Sequence, residues 1–127
     1  MVGHAQTCKD TAVKFLRLVV AGRIDEAFDK YVDMRGKHHN PYFPAGFQAL
    51  KRAMIENHTT FPNKQLTVKN VIGDGELVAV HSRIVLGPGE NVMVVVHLHR
   101  FQGDKIVELW DCGMPVPVDS PNTDGAL

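Results

Sequence analysis

Cysteine is scarce in this 127-residue sequence: Cys8 and Cys112 are the only two, one near each end. A disulfide framework or a zinc site needs thiols at short, repeated spacings, so both are excluded, and two unpaired thiols in a reducing compartment are expected. An excess of one charge is also missing. Fourteen Lys and Arg balance fourteen Asp and Glu, and the charges are scattered, which argues against nucleic acid or a membrane surface as partner. No apolar run approaches the roughly 20 residues that span a bilayer. The opening MVGHAQTCKD has no apolar h-region, so no secretory leader is expected. Internal repeats and low-complexity segments are absent. These exclusions leave a soluble, cytoplasmic chain with no expected cofactor, read as a single domain over 1–127 and long enough to bury one core.

The first half carries a helical pattern. Ala12, Val13, Leu16, Val19 and Val20 share one face, with Thr7 and Asp10 placed as a capping box and Gly22 as the stop. Ile24, Ala27, Phe28 and Tyr31 mark a second helix. Residues 34–46, MRGKHHNPYFPAG, read as a loop from their Gly and Pro content. Phe47, Leu50 and Met54 mark a third helix, from about Phe47 to His58. The second half alternates. Leu66 and Val68 are in step, while Val71 and Ile72 fall out of step. GDG at 73–75 and GPGE at 87–90 are turns, and ELVAVHSRIVL, NVMVVVHLHRF and KIVELWD complete four strands. After Met114 the Pro-containing segment 115–127 is expected to be a tail. Three N-terminal helices followed by four hairpin-linked strands predict an α+β fold, with the helices packed on one face of a curved, mostly antiparallel sheet.

Seven histidines are many for this length. His4 and His58 fit ordinary half-exposed positions. His97 and His99, at i and i+2 in the most apolar strand, must point to one face and are expected to be partly buried, hence to need partners. Asp111 is the natural one. A carboxylate in an apolar cavity is disposed to act as a general base near neutral pH, and a histidine could hold it or donate to a developing enolate. Strand register decides whether they meet. A plain two-residue turn at Gly103-Asp104 pairs His97 with Trp110 and sends Asp111 to the other face. A longer loop or a bulge flips the parity and puts His97, His99 and Asp111 together. Gly-Asp suits the tight turn, so the residues alone lean slightly toward separation.

HHNPYFPAG, LVAVHSRIVL and HRFQGDKIVELWD together resemble the SnoaL-like polyketide cyclase branch of the nuclear transport factor 2-like superfamily, over about residues 8–114. The resemblance implies a cone-shaped fold, with three helices filling the mouth of a curved sheet around an apolar pocket, and homodimers formed through the sheet. In such cyclases the Asp of the Trp-Asp pair is the general base of an aldol closure, assisted by a histidine fourteen positions earlier. Asp111 and His97 match, which implies the flipped parity. His39 and Asn40 match the His-Asn-Pro that lines the pocket mouth, and His81, His99 and Trp110 are implied to reach the substrate. Two positions depart from the pattern: Leu109 stands for the usual His before Trp, and His99 for the usual Phe.

Three functions follow. The first is acid/base chemistry on a small apolar carbonyl compound (aldol cyclisation, enolisation or isomerisation) with Asp111 and His97 as the working pair. The second is a binding module that holds such a molecule without turnover. The third, a cation held by His97 and His99 with Asp111 or His81, is the weakest. GENVMVVVHLH is two residues too long for the cupin spacing, and no Glu follows His99 at three or four residues. No metal is therefore expected.

Overall fold

A computed structural model describes residues 3–127. Helices α1 (His4–Val20) and α2 (Ile24–Tyr31) lead into strand β1 (Val32–His38). Helix α3 (Phe47–Thr60) and strands β2 (Gln65–Asp74), β3 (Leu77–Val85), β4 (Val92–Gln102) and β5 (Lys105–Pro115) follow. The five strands form one sheet in the order β1-β5-β4-β3-β2. All pairs are antiparallel except β1 with β5. The three helices cover one face of this curved sheet, giving the expected α+β cone.

The core lies between helices and sheet. Phe15 of α1, Phe28 of α2 and Phe47 of α3 meet edge-to-face at centroid distances of 5.5 and 6.2 Å, the geometry that ring quadrupoles favour. Beneath them the sheet contributes Val78, Val80, Phe101, Ile106 and Leu109, all buried. Gly22 ends α1 with φ +83°, a conformation open to glycine at no steric cost.

Two local expectations fail. The Thr7–Asp10 capping box does not form, because α1 already starts at His4 behind an extended Gly3. Thr7 sits inside the first turn and donates its hydroxyl to the Gly3 carbonyl at 3.2 Å. Burial of Cys8, Thr11 and Ala12 carries the helix back past the proposed cap. The segment expected to be loop from residue 34 is strand as far as His38. VDMRGKH buries only its two ends, so it lacks alternation. Its pairing is a long-range parallel one that no local pattern encodes. Beyond Pro115, the Val116 N–H donates to Val92 O at 2.8 Å, and no helix or strand follows.

Bulges shape the sheet. In β2 the register shifts between Val68 and Asn70, so Leu66, Val68 and Val71 all face the helices. The out-of-step valine of the sequence is this bulge. In β5 Val107 is the extra residue: Phe101 pairs with Ile106 and Arg100 with Glu108. Gly36 of β1 crosses at that point. A Cβ there would collide with the Val107 carbonyl and the Phe47 ring. Gly36→Ala is therefore expected to cost about 2 kcal/mol or more by overpacking against backbone, read as a lowered midpoint in urea. An unchanged midpoint would show that β1 can move away freely.

Candidate functional site

The final hairpin settles the register by satisfying both rules. Gln102 pairs with Lys105 across a two-residue turn. Gly103 has φ +63°, as the first central residue of a type II′ turn requires. The turn rule therefore holds. The bulge at Val107 then flips the parity, and His97 pairs with Asp111, His99 with Leu109 and Leu98 with Trp110. His99 and Leu109 are fully buried, so His97 and Asp111 share the helix-facing side of the sheet.

Strand alternation assigns the remaining candidates. Trp110 and Glu108 flank the buried Leu109 and point to the outer face. His81 lies between the buried Val80 and Ser82 and opposite Val96. It too points outward, where its Nδ1 meets the Asn70 side-chain amide at 3.0 Å. His39 stacks on Trp110 at 5.0 Å and 13°, and its Nε2 lies 2.6 Å from Glu108 Oε2. Arg100 covers the same indole at 5.6 Å and donates to Glu108 Oε1 at 3.3 Å. These contacts hold the Glu108 carboxyl below the usual carboxylate range, with the His39 hydrogen bond as the largest cause. His39, His81 and Trp110, expected in the pocket, are thus corrected to the outer face. His81 and Trp110 each follow an inward residue along a strand and so point outward, and His39, just past the end of β1, lies there by stacking on Trp110.

His38 is the inward member of the His-His pair. Its Nδ1 accepts the Asn40 N–H at 3.0 Å and its Nε2 donates to the Pro44 carbonyl at 2.8 Å, so both ring nitrogens are used to pin the 39–46 loop. That loop presents Asn40. The Asn40 Oδ1 accepts the Tyr42 N–H at 2.9 Å, which turns Nδ2 toward Asp111, where it donates to Oδ2 at 2.9 Å. Asn40, not His97, is the hydrogen-bond partner of Asp111.

Asn40 and Asp111 stand on the wall between two cavities. The smaller, about 230 Å³, is lined by Val19 of α1, Leu50, Ala53, Met54 and Asn57 of α3, Phe43 of the loop, and Lys64. The other, about 540 Å³, runs past Pro41, Tyr42, Met93, Val95 and Cys112. Neither Lys64 nor Asn57 was expected. Both lie where α3 meets β2, a juxtaposition with no sequence signal.

His97 and His99 lie behind Asp111 and line neither cavity. Their rings stack at 6.1 Å and 24°, and His99 meets Phe15 edge-on at 5.8 Å. The expectation that buried histidines find partners fails here. His97 Nδ1, both nitrogens of His99, and the nearby inward Ser82 Oγ are buried without a hydrogen bond. Desolvation pulls the His97 pKa down to about 4 against the opposing attraction of Asp111. His99 falls to about 3 through desolvation and then repulsion from His97. Both imidazoles are neutral at pH 7. Cys8 is buried and Cys112 exposed, and both are free. Among the described residues no group of three or more His, Cys, Asp or Glu is gathered closely enough to hold a metal ion, and no helix is long and apolar enough to cross a membrane.

The SnoaL-like domain family matches residues 12–109. No curated protein sequence matches the chain significantly. Among solved structures, a candidate ketosteroid isomerase from Kribbella flavida aligns with a TM-score of 0.71 at 20% identity, covering 93% of this chain and 85% of its own. A candidate polyketide cyclase from Acidithiobacillus ferrooxidans aligns at 0.70 and 20%, covering 88% and 91%. A nuclear transport factor 2-like protein of unknown function from Cytophaga hutchinsonii aligns at 0.67 and 13%, covering 84% and 89%. At these identities the structural likeness speaks for the fold alone. The family match over most of the chain says more: this protein belongs to the SnoaL-like domain family.

Proposed function

We propose that the protein removes a proton alpha to a carbonyl on a small, largely apolar molecule bound in the cavity of about 230 Å³, in an enolisation, isomerisation or aldol cyclisation. The observation that carries this reading is a single carboxylate, Asp111, on the wall of an apolar cavity and held by the Asn40 amide at 2.9 Å. A base must reach its proton directly and in a fixed orientation. Asp111 does both, with Leu50 and Met54 as apolar walls. The volume is below the roughly 300–1,000 Å³ of drug-sized sites, which suits a small substrate. Asn40 can turn an N–H toward a developing enolate oxygen. His97 acts behind the base as a positioning residue, neutral at pH 7, and touches no substrate. Its companion His99, expected to reach the substrate, is fully buried and lines neither cavity. The test is hydrogen exchange: small apolar ketones incubated in heavy water with the protein should gain deuterium alpha to the carbonyl. Tight binding without exchange would favour the alternative, a non-catalytic ligand-binding module.

The outer face of the sheet supports a homodimer. Val92, Val94, Val96 and Leu98 of β4 all point away from the helices and are only partly covered. Residues of that kind on four successive outward positions make an apolar strip that a second copy would bury. Sedimentation should find a dimer, and Val96→Glu should convert it to monomer by placing a charge in the interface. A monomeric wild type at micromolar concentration would overturn the assignment.

A further inference from the structure

Lys64 stands in the short connection between α3 and β2. Its ammonium donates to the Phe61 carbonyl at 3.2 Å. Among the described residues no carboxylate lies within ion-pair distance of it, which is true also of Lys9, Lys14, Lys69 and Lys105 but not of Lys30, Lys37 and Lys51. Lys64 nevertheless lines the same apolar cavity as Asp111. An ammonium there is partly stripped of water, and this desolvation lowers its pKa. A cation so placed gives up hydration and gains a single carbonyl in return. An anionic group of the ligand would supply the missing partner, through a charge-assisted hydrogen bond strengthened by the apolar walls.

We propose that Lys64 recognises a carboxylate, so that the cavity takes a small apolar oxo-acid, its carboxylate at Lys64 and its acidic C–H at Asp111. This rests on the reading of the cavity as the substrate site. The two charged side chains select opposite ends of one molecule. Asp111 repels a carboxylate and Lys64 attracts it, so the acid can enter in only one orientation. Asn57 lines the same cavity. Arg17 lies with Lys64 in a separate groove of about 530 Å³, and is the competing anion site.

Hexanoate and hexanamide, alike in length and differing in charge, are the probes. Calorimetric or NMR titration of wild type should show hexanoate bound about tenfold more tightly, the ratio produced by about 1.4 kcal/mol. Lys64→Met should erase the preference, Lys64→Arg should keep most of it, and Arg17→Met should leave it intact. Asp111→Asn should retain or raise it, since a repelling charge is removed. Equal binding, no binding of either probe, or a preference that survives Lys64→Met or is lost with Arg17→Met would overturn the proposal. Ketone exchange without a Lys64-dependent preference would sink this inference alone. A Lys64-dependent preference without exchange would sink the catalytic reading and leave a carboxylate-binding module.

Discussion

Asp111→Asn should lower ketone exchange or turnover by roughly 10²–10⁴-fold, the range lost with a positioned general base. The substitution removes the base and little else. Asparagine has the same shape, and its Oδ1 can still accept the Asn40 Nδ2–H bond that Asp111 Oδ2 receives at 2.9 Å. Asp111 is only partly buried and belongs to none of the ion pairs found, so unfolding in urea should change little. Kinetics and stability thus separate. Two companions sharpen the reading. Asn40→Ala frees the carboxylate and should cost about tenfold, within the effect of losing one orienting contact. His97→Gln should act on kcat more than on KM, because His97 lies behind the base and outside both cavities. Exchange that persists unchanged in Asp111→Asn would remove the proposed chemistry.

Acid should unfold this protein early, and His99→Phe should delay it. The folded chain keeps His97 neutral down to about pH 4 and His99 down to about pH 3, against an ordinary value of 6.5. The unfolded chain takes up both protons near 6.5, so below that pH it binds more protons than the folded one. Stability is then complete above about 6.5 and falls as the pH drops toward the folded values. Two protons give a slope approaching roughly 3 kcal/mol per pH unit. The loss by about pH 4 is on the order of 5 kcal/mol, comparable with the whole stability of a small domain. His99→Phe removes one of these protons and two buried nitrogens that lack partners, and it keeps a ring edge-on to Phe15. It should therefore gain about 1–3 kcal/mol at pH 7 and halve the acid slope. Urea melts between about pH 7 and 4 measure both. A full two-proton slope in the variant would mean that other groups carry the effect.

Several elements were legible because their physics is local. Helix periodicity placed α1, α2 and α3, and Gly22 ended the first where expected. Gly-Asp gave the tight turn at 103–104, and the out-of-step Val71 was the trace of a bulge. The first turn of α1 and strand β1 were missed. The first is fixed by burial of Cys8, the second by parallel pairing to a strand some seventy residues away.

The sequence by itself determined the α+β class, the family, and the presence of a carboxylate and an Asn in the His-Asn-Pro and Trp-Asp motifs, which the structure joins as Asn40–Asp111. The resemblance implied the parity that joins His97 and Asp111, and tertiary structure decided which other side chains meet. One extra residue, Val107, turns Asp111 inward. The same alternation turns Trp110 and His81 outward, His39 stacks on Trp110, and the α3–β2 connection brings Lys64 to the cavity. The reason is that a strand side chain has only two directions, and the choice between them is set by bulge and register. Both depend on neighbouring strands and on Gly36, not on the residues that flank each position in sequence.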